Sequence, residues 1–327
     1  MLRDQLIAPA RRSARSVAIS RLGVVRAAYD GLDGDSSDAI HDLRVALRRL
    51  RSWIRAYRRQ LDDTLRKKTR RRLNKLARET DGARDTEVFV SWIEQQNDIP
   101  LRALGGTTFI ARHLAKDRTD AMRKMRKALD DRLPETLDAM EAQFARYGHR
   151  LDVDSDRRED TMASITADLI RQHQRQFRRR LSRIESGDDS TQIHQARIAT
   201  KRLRYLLEWL DEFAGIAVLC KQLSELQDLL GACHDSDVFI EHLFGEIADI
   251  GAADAKRRAK RALGLAPDDV DLLPPLIRVR PGIIELASRS RREHDDAFQK
   301  FQETWTPATL DSVSSTIDGL VTELESI

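Results

Sequence analysis

Residues 41–51 read HDLRVALRRLR, and residues 194–204 read HQARIATKRLR. Set 153 positions apart, His41 meets His194, Arg44 meets Arg197, Val45 meets Ile198 and Arg48 meets Lys201. Arg49, Leu50 and Arg51 then meet Arg202, Leu203 and Arg204 without a gap. At about 100° per residue, Leu43, Leu47, Leu50, Ile54 and Tyr57 share one side of a helix. His41, Arg44, Arg48, Arg55 and Arg59 fall almost opposite, with Arg51 at their edge. One basic amphipathic helix is used twice.

Outward from these stretches the correspondence continues. GDSS at 34–37 matches GDDS at 187–190, and Asp235 with Val238 stands 150 positions after Asp85 with Val88. LPETLDAM (133–140) matches TPATLDSV (306–313), now 173 apart, and an irregular insert at about 265–282, holding Pro267, Pro274, Pro275, Pro281 and Gly282, accounts for the surplus. The reading is an internal duplication: a first helical bundle over 1–150, a polar acidic linker over 151–160, and a second bundle over 161–327.

Helices are expected at about 11–29, from the turn at 36–38 to about 59, at 62–81 with Gly82 as its stop, at 108–130, from Pro134 to about 148, at 161–184, and from about 190 to 213. Ser36, Ser37 or Asp38 can cap the first motif helix, and Asp85 can cap a further helix beginning at TEVFVSWI. Asn97, Pro100 and the Gly105–Gly106 pair read as a break. Nothing alternates with period two, so the fold class is all-α. With 41% hydrophobic but only 5% aromatic residues, aliphatic helix packing must supply most of the core.

The net charge is only +4, but residues 41–78 hold fifteen Lys and Arg against Asp42, Asp62 and Asp63, whereas 194–231 holds five of each sign. Two cysteines, Cys220 and Cys233, build no disulfide framework and point to a reducing compartment. The N-terminus lacks the apolar core of a secretory signal, and no run approaches eighteen apolar residues. A cytoplasmic protein that does not enter the membrane is expected.

Charged helix faces are usually just solvated surface. Two features argue for more. Residues 43–61 contain no acid, where ordinary surface helices intersperse Glu with Arg or Lys. The same ordered set of basic side chains also returns in the second half. Like charges on one face repel, and a bound polyanion relieves them. Arginine suits phosphate through its planar fork, lysine adds a point charge, and histidine gains charge beside phosphate. From spacing, Arg55, Lys68, Arg71, Lys75 and Arg78 join the candidate surface, as do Arg171, Arg175 and Arg178 on one face of the helix at 161–184.

The HxxRVxxRRLR and HxxRIxxKRLRY motifs, with RDTEVF and HDSDVF downstream, resemble those of the CHAD family, the conserved-histidine α-helical domain. The resemblance covers nearly the full length. It implies two four-helix-type bundles related by a pseudo-two-fold, binding inorganic polyphosphate along a central basic cleft, and association with polyphosphate granules. Some members are fused to a CYTH triphosphatase domain; no segment here is long enough for one, so a stand-alone member is expected. Carried over by position, His41, Arg44, Arg48 and Arg51 are ligand contacts in the first half, and His194, Arg197, Lys201 and Arg204 in the second. Glu208 stands where the helix phase matches Arg55, so the second half is expected to bind more weakly.

Nucleic acid is the rival partner, being a polyphosphate too, but no nucleic-acid motif is present and few aromatics flank the basic stripes for base stacking. Trp53, Tyr57, Tyr205 and Trp209 at helical spacing read as core or its rim. Neither motif histidine has a second ligand at i+3 or i+4, and Cys233 beside His234 reads as a buried thiol, so neither a metal nor another cofactor is expected. No phosphate loop, metal-binding acidic cluster or activated nucleophile is legible, and Asp85 and Asp235 read as caps or as ion-pair partners of a motif Arg rather than paired acids. The expectation is a binder, not an enzyme.

Overall fold

Leu43, Leu47, Leu50, Ile54 and Tyr57 are all buried, as the phase of the first motif requires. The computed structural model describes residues 2–32, 37–148, 160–265 and 275–327. In chain order the helices are α1 (Leu2–Ile7), α2 (Ala10–Asp30), α3 (Ser37–Ala56), α4 (Arg58–Leu61), α5 (Lys67–Glu94), α6 (Leu101–Gly148), α7 (Met162–Leu181), α8 (Ser190–Leu207), α9 (Ile216–Ala262), α10 (Leu276–Thr304) and α11 (Pro307–Glu325). A 3₁₀ turn, Glu208–Leu210, follows α8. Among the described residues there is no strand, only an isolated bridge between Pro9 and Thr161, so the fold is all-α. None of these helices is long and apolar enough to cross a membrane.

One apolar core runs from Leu2 and Leu6 through the motif helices to Ile317 and Leu324. Its centre is aromatic. Trp53 lies 4.2 Å from Tyr57 and 5.1 Å from Trp209, ring centre to ring centre, the latter edge to face. The Trp53 indole N–H donates to the Ala14 carbonyl of α2 (2.8 Å), and the Tyr57 hydroxyl bonds Thr166 of α7 (2.9 Å). These bonds satisfy polar atoms that burial would otherwise leave unpaired. A smaller core lies at the far end, where Phe89 and Trp92 of α5 meet Phe239 of α9 at 4.8 and 5.0 Å.

The helices are longer than the local signals suggest. α5 passes through Gly82, so Asp85 sits inside a helix rather than at its start; α9 likewise carries Asp235 in its interior. A glycine in a helix interior costs about 1 kcal/mol. Buried side chains on both sides of Gly82, Leu73 and Leu76 before it and Phe89 and Val90 after it, hold the helix across that position. α6 runs unbroken from Leu101 past Pro134, where Leu129, Leu133, Leu137 and Met140 pack continuously around the lost donor. The corresponding proline in the second half, Pro307, does open a helix, capped by the Thr306 hydroxyl accepting from the Thr309 amide (3.3 Å). The first motif helix stops at Ala56, and residues 276–282 of the supposed insert are helical. The GDSS turn, most of the 151–160 linker, residues 266–274 and the Asp85 and Ser37 side chains lie outside the described residues.

Gly106 explains itself at the crossing of α6 and α10. A Cβ there would collide with the Val279 carbonyl oxygen and lie 2.9 Å from the Gly282 Cα. A Cβ on Gly282 would in turn come within 2.5 Å of the Ala103 carbonyl oxygen. The two backbones touch, and only glycine permits it. Gly106→Ala should therefore destabilise the protein by about 1–3 kcal/mol through overpacking. Gly105→Ala, whose nearest obstacle is the Arg278 carbonyl at 3.9 Å, should gain up to about 1 kcal/mol of helix propensity. Urea unfolding of the two variants checks the contrast, and similar midpoints for both would contradict a backbone-to-backbone crossing.

Candidate anion-binding cleft

Burying the apolar stripe of α3 turns Arg44, Arg48, Arg51 and Arg55 outward along one side. α8 packs against α3, and Tyr205 sits between the two basic rows. The Arg48 guanidinium lies 5.8 Å from its ring centre and that of Arg204 4.7 Å. Cation–π contact of this kind holds two like charges near one another at a surface the core has already fixed. Arg48 of α3 and Arg204 of α8 thus meet at one ring.

The rows differ in how their charge is matched. On α8, Arg197 lies against Gly231 of α9, where a Cβ would approach its Nε to 3.3 Å, and pairs with Asp235 at 3.8 Å. Burial raises the Asp235 carboxyl, while Arg197, Arg84 and Lys201 pull it back down. Arg204 pairs with Glu208 at 2.7 Å and donates from Nε to Gln227 (3.3 Å). Glu208 also reaches Arg49 of α3 at 3.6 Å. His194 Nδ1 lies 3.2 Å from His234 Nε2, a neighbour that sequence spacing did not reveal because it comes from α9. Burial, then Arg197, lowers the His194 pKa; burial, then His194 and Arg197, push His234 down to about 4.

On α3 and α5 the cations are less well matched. Arg51 donates to Asn74 of α5 (3.2 Å), the counterpart of the Arg204–Gln227 bond. Arg70 pairs with Asp62, Arg72 with Glu135 (2.6 Å) and Arg132 of α6 with Glu79 (3.0 Å). Lys68, Arg71 and Lys75 have no ion-pair partner among the described residues; they line the exposed edge of α5 with Arg78, which donates to the Asn74 carbonyl (3.3 Å). His41 is exposed at the start of α3.

Two concavities open on this surface. The first, about 250 Å³, is walled by Arg51, Arg55, Arg58, Lys67, Arg70 and Arg71, with Ile54, Leu73 and Asn74, and no carboxylate lines it. The second, about 460 Å³, lies between α3, α7 and α8 and shares Arg55 and Arg58 with the first. Across it Arg55 faces Arg202, and burial followed by that like charge lowers the Arg55 pKa. Neither has an acid partner among the described residues. Burial, then Arg202, also pushes His173 on its wall down to about 4.

The structure thus gathers Arg48, Arg51, Arg55 and Arg71 with Arg204 across Tyr205. It does not gather Arg171 and Arg178. These face α11, where Arg171 pairs with Glu325 at 2.5 Å and Arg178 bonds Ser314 (2.5 Å) and Asp311 (3.2 Å). Arg175 is exposed on α7 and is not among the residues that line the cleft. Helix phase alone could not tell which face of α7 would meet a neighbour. Arg58, Arg202 and His173 were missed. Arg58 falls past the break at Tyr57, where extrapolated phase fails, and Arg202 was visible as the first Arg of the repeated RLR.

A family model described as the CHAD domain matches residues 17–243. Among solved structures, the fold is similar to the crystal structure of the CHAD domain from the plant Ricinus communis, at a TM-score of 0.62 and 17% identity, over 96% of this chain and 93% of that one. No curated protein matches the sequence significantly.

The depressed histidines set a pH dependence. The unfolded chain protonates His173 and His234 below their ordinary value of 6.5, whereas the folded protein does so only near 4. Their contribution to stability is full above 6.5 and is lost as pH falls from there to about 4, since the unfolded state then binds more protons. His173→Gln should flatten the fall of the urea midpoint across that window while changing little at higher pH; an identical slope in variant and wild type would contradict a buried neutral imidazole.

Proposed function

The chain belongs to the CHAD domain family, and from that footing we propose that it binds inorganic polyphosphate along the basic surface of α3 and α5. The observation that carries the reading is the concentration of basic side chains there. Arg55 faces Arg202 and neither has an acid partner among the described residues, and the adjoining pocket has six basic side chains and no carboxylate in its lining. Holding such charges together costs free energy in the empty protein, and a chain of phosphates offsets it by supplying one negative charge after another. Guanidiniums on successive turns of α3, at Arg44, Arg48, Arg51 and Arg55, track a linear polyanion rather than a single small ion.

The two halves contribute unequally. Arg197 and Arg204 already hold Asp235 and Glu208, and a phosphate must compete with those carboxylates. α3 and α5 therefore supply most of the attraction, and α8 closes the far side of the groove through Tyr205 and Arg202. The protein acts as a non-catalytic binding module in the cytoplasm, and the family resemblance supports a place at polyphosphate granules.

Titration with long-chain polyphosphate over a range of salt concentrations tests this. Arg48→Ala, Arg51→Ala and Arg55→Ala together should weaken binding at least tenfold and flatten the plot of log affinity against log salt by about 0.7 for each lost phosphate contact. Arg171→Ala with Arg178→Ala, on the α11 side, should leave both quantities unchanged. Unaltered affinity in the α3 variant would overturn the proposal, as would a loss confined to the α7 variant.

A further inference from the structure

The larger concavity is unlike a polyphosphate channel. Its floor is apolar, built from Trp53, Ile165, Leu169, Tyr205 and Leu206. Bare phosphate gains nothing from such a floor and loses hydration against it. The rim carries the neutral donor–acceptor side chains of Gln60, Gln172 and Gln176, and the carboxylate of Asp168, which repels phosphate. His173 on the wall is held neutral by burial and by Arg202. The cleft's arginines, Arg55, Arg58 and Arg59 on one side and Arg202 on the other, surround this apolar floor, and Arg55 and Arg58 also line the smaller pocket.

We propose that the cleft between α3, α7 and α8 holds the base and ribose of a purine nucleoside polyphosphate whose phosphates run into the Arg51–Arg55–Arg71 pocket. A flat heteroaromatic ring uses an apolar, aromatic-bearing floor, and arginines at its edge stack on such rings as well as pairing with phosphate. Glutamine amides offer the donor and acceptor side by side that an adenine edge complements. A carboxylate accepts hydrogen bonds from ribose hydroxyls, and Asp168, 3.7 Å from Arg171 and largely exposed, keeps an oxygen available for them. The volume of about 460 Å³ suits one nucleoside and lies within the range of small-molecule sites. This inference rests on the phosphate-binding reading of the basic pocket and adds the group at the end of the chain.

The test compares adenosine triphosphate with inorganic tripolyphosphate by calorimetry on the full chain, with long-chain polyphosphate as a separate arm. Adenosine triphosphate should bind at least tenfold more tightly than tripolyphosphate, and saturation-transfer NMR should show protein contact at the adenine protons. Gln172→Ala with Gln176→Ala, both exposed side chains, should abolish the difference and leave tripolyphosphate affinity as it was. Equal affinities in the wild type would overturn the nucleoside site and leave the polyphosphate proposal standing. Failure of the long-chain arm falls instead on that proposal. Tighter binding of an RNA tetranucleotide lacking a triphosphate would also overturn the inference, in favour of a nucleic-acid groove.

Discussion

Everything on the basic face depends on the aromatic contact between α3 and the turn that ends α8. Trp53, Tyr57 and Trp209 meet there within 6.5 Å of one another. Tilted and edge-to-face pairs add about 0.5–1.5 kcal/mol each beyond their buried area. Their polar atoms add direction: one indole N–H is tied to α2 and one phenol to α7, so four helices are registered at a single point. Aliphatic side chains could fill the same volume but not fix the rotation of α3 about its axis. Once that rotation is fixed, the arginines of the motif have one place to go.

The same junction decides which charges are matched. Glu208 pairs with Arg204 and Arg49, and it is the carboxylate that most favours the charged form of Arg21, whose guanidinium lies 4.7 Å from the Trp53 ring centre. Burial still lowers Arg21 to about 10, so it stays cationic at neutral pH. One acid from the second half therefore serves three arginines that the fold needs. Beyond its reach, Arg55 and Arg202 are left to each other. Which cations are matched follows from where carboxylates fall in space, Glu208 here and Asp62, Glu135, Asp235, Asp311 and Glu325 elsewhere, not from residue type.

This is why the sequence discloses some of the site and hides the rest. Helical phase placed Leu43 through Tyr57 inside and Arg44 through Arg55 outside, because amphipathicity records burial directly. The match of residues 194–204 to 41–51 aligned Arg197 with Arg44 and Arg204 with Arg51, and both lie on α8. Partners from distant helices left no local trace: Asp311 and Glu325 capture Arg178 and Arg171, and His234 meets His194 from another helix. Glycine and proline misled in the opposite direction. Gly82, Gly105, Gly106 and Pro134 carry local signals for breaks, yet packing on both sides overrode them. At Gly106 the residue is needed for a crossing that only the folded chain contains.

The hidden continuity of α5 bears on the charge it carries. Residues 67–78 include Lys67, Lys68, Arg70, Arg71, Arg72, Lys75 and Arg78 and no acid. In an isolated helix, like charges three and four apart repel and fray such a segment. Here α5 is gripped at both ends. Near its start, Asp62 and Glu135 hold Arg70 and Arg72 from outside the helix. At its far end, Phe89, Val90 and Ile93 are buried in the distal core, and Arg289 of α10 donates to the Asn97 and Asp98 carbonyls just past its last turn (2.7 and 3.0 Å). Had the helix ended at Gly82, the basic row would sit on a short segment without the distal anchor. Extending it into a second core lets the row remain helical although Lys68, Arg71 and Lys75 have no ion-pair partner among the described residues.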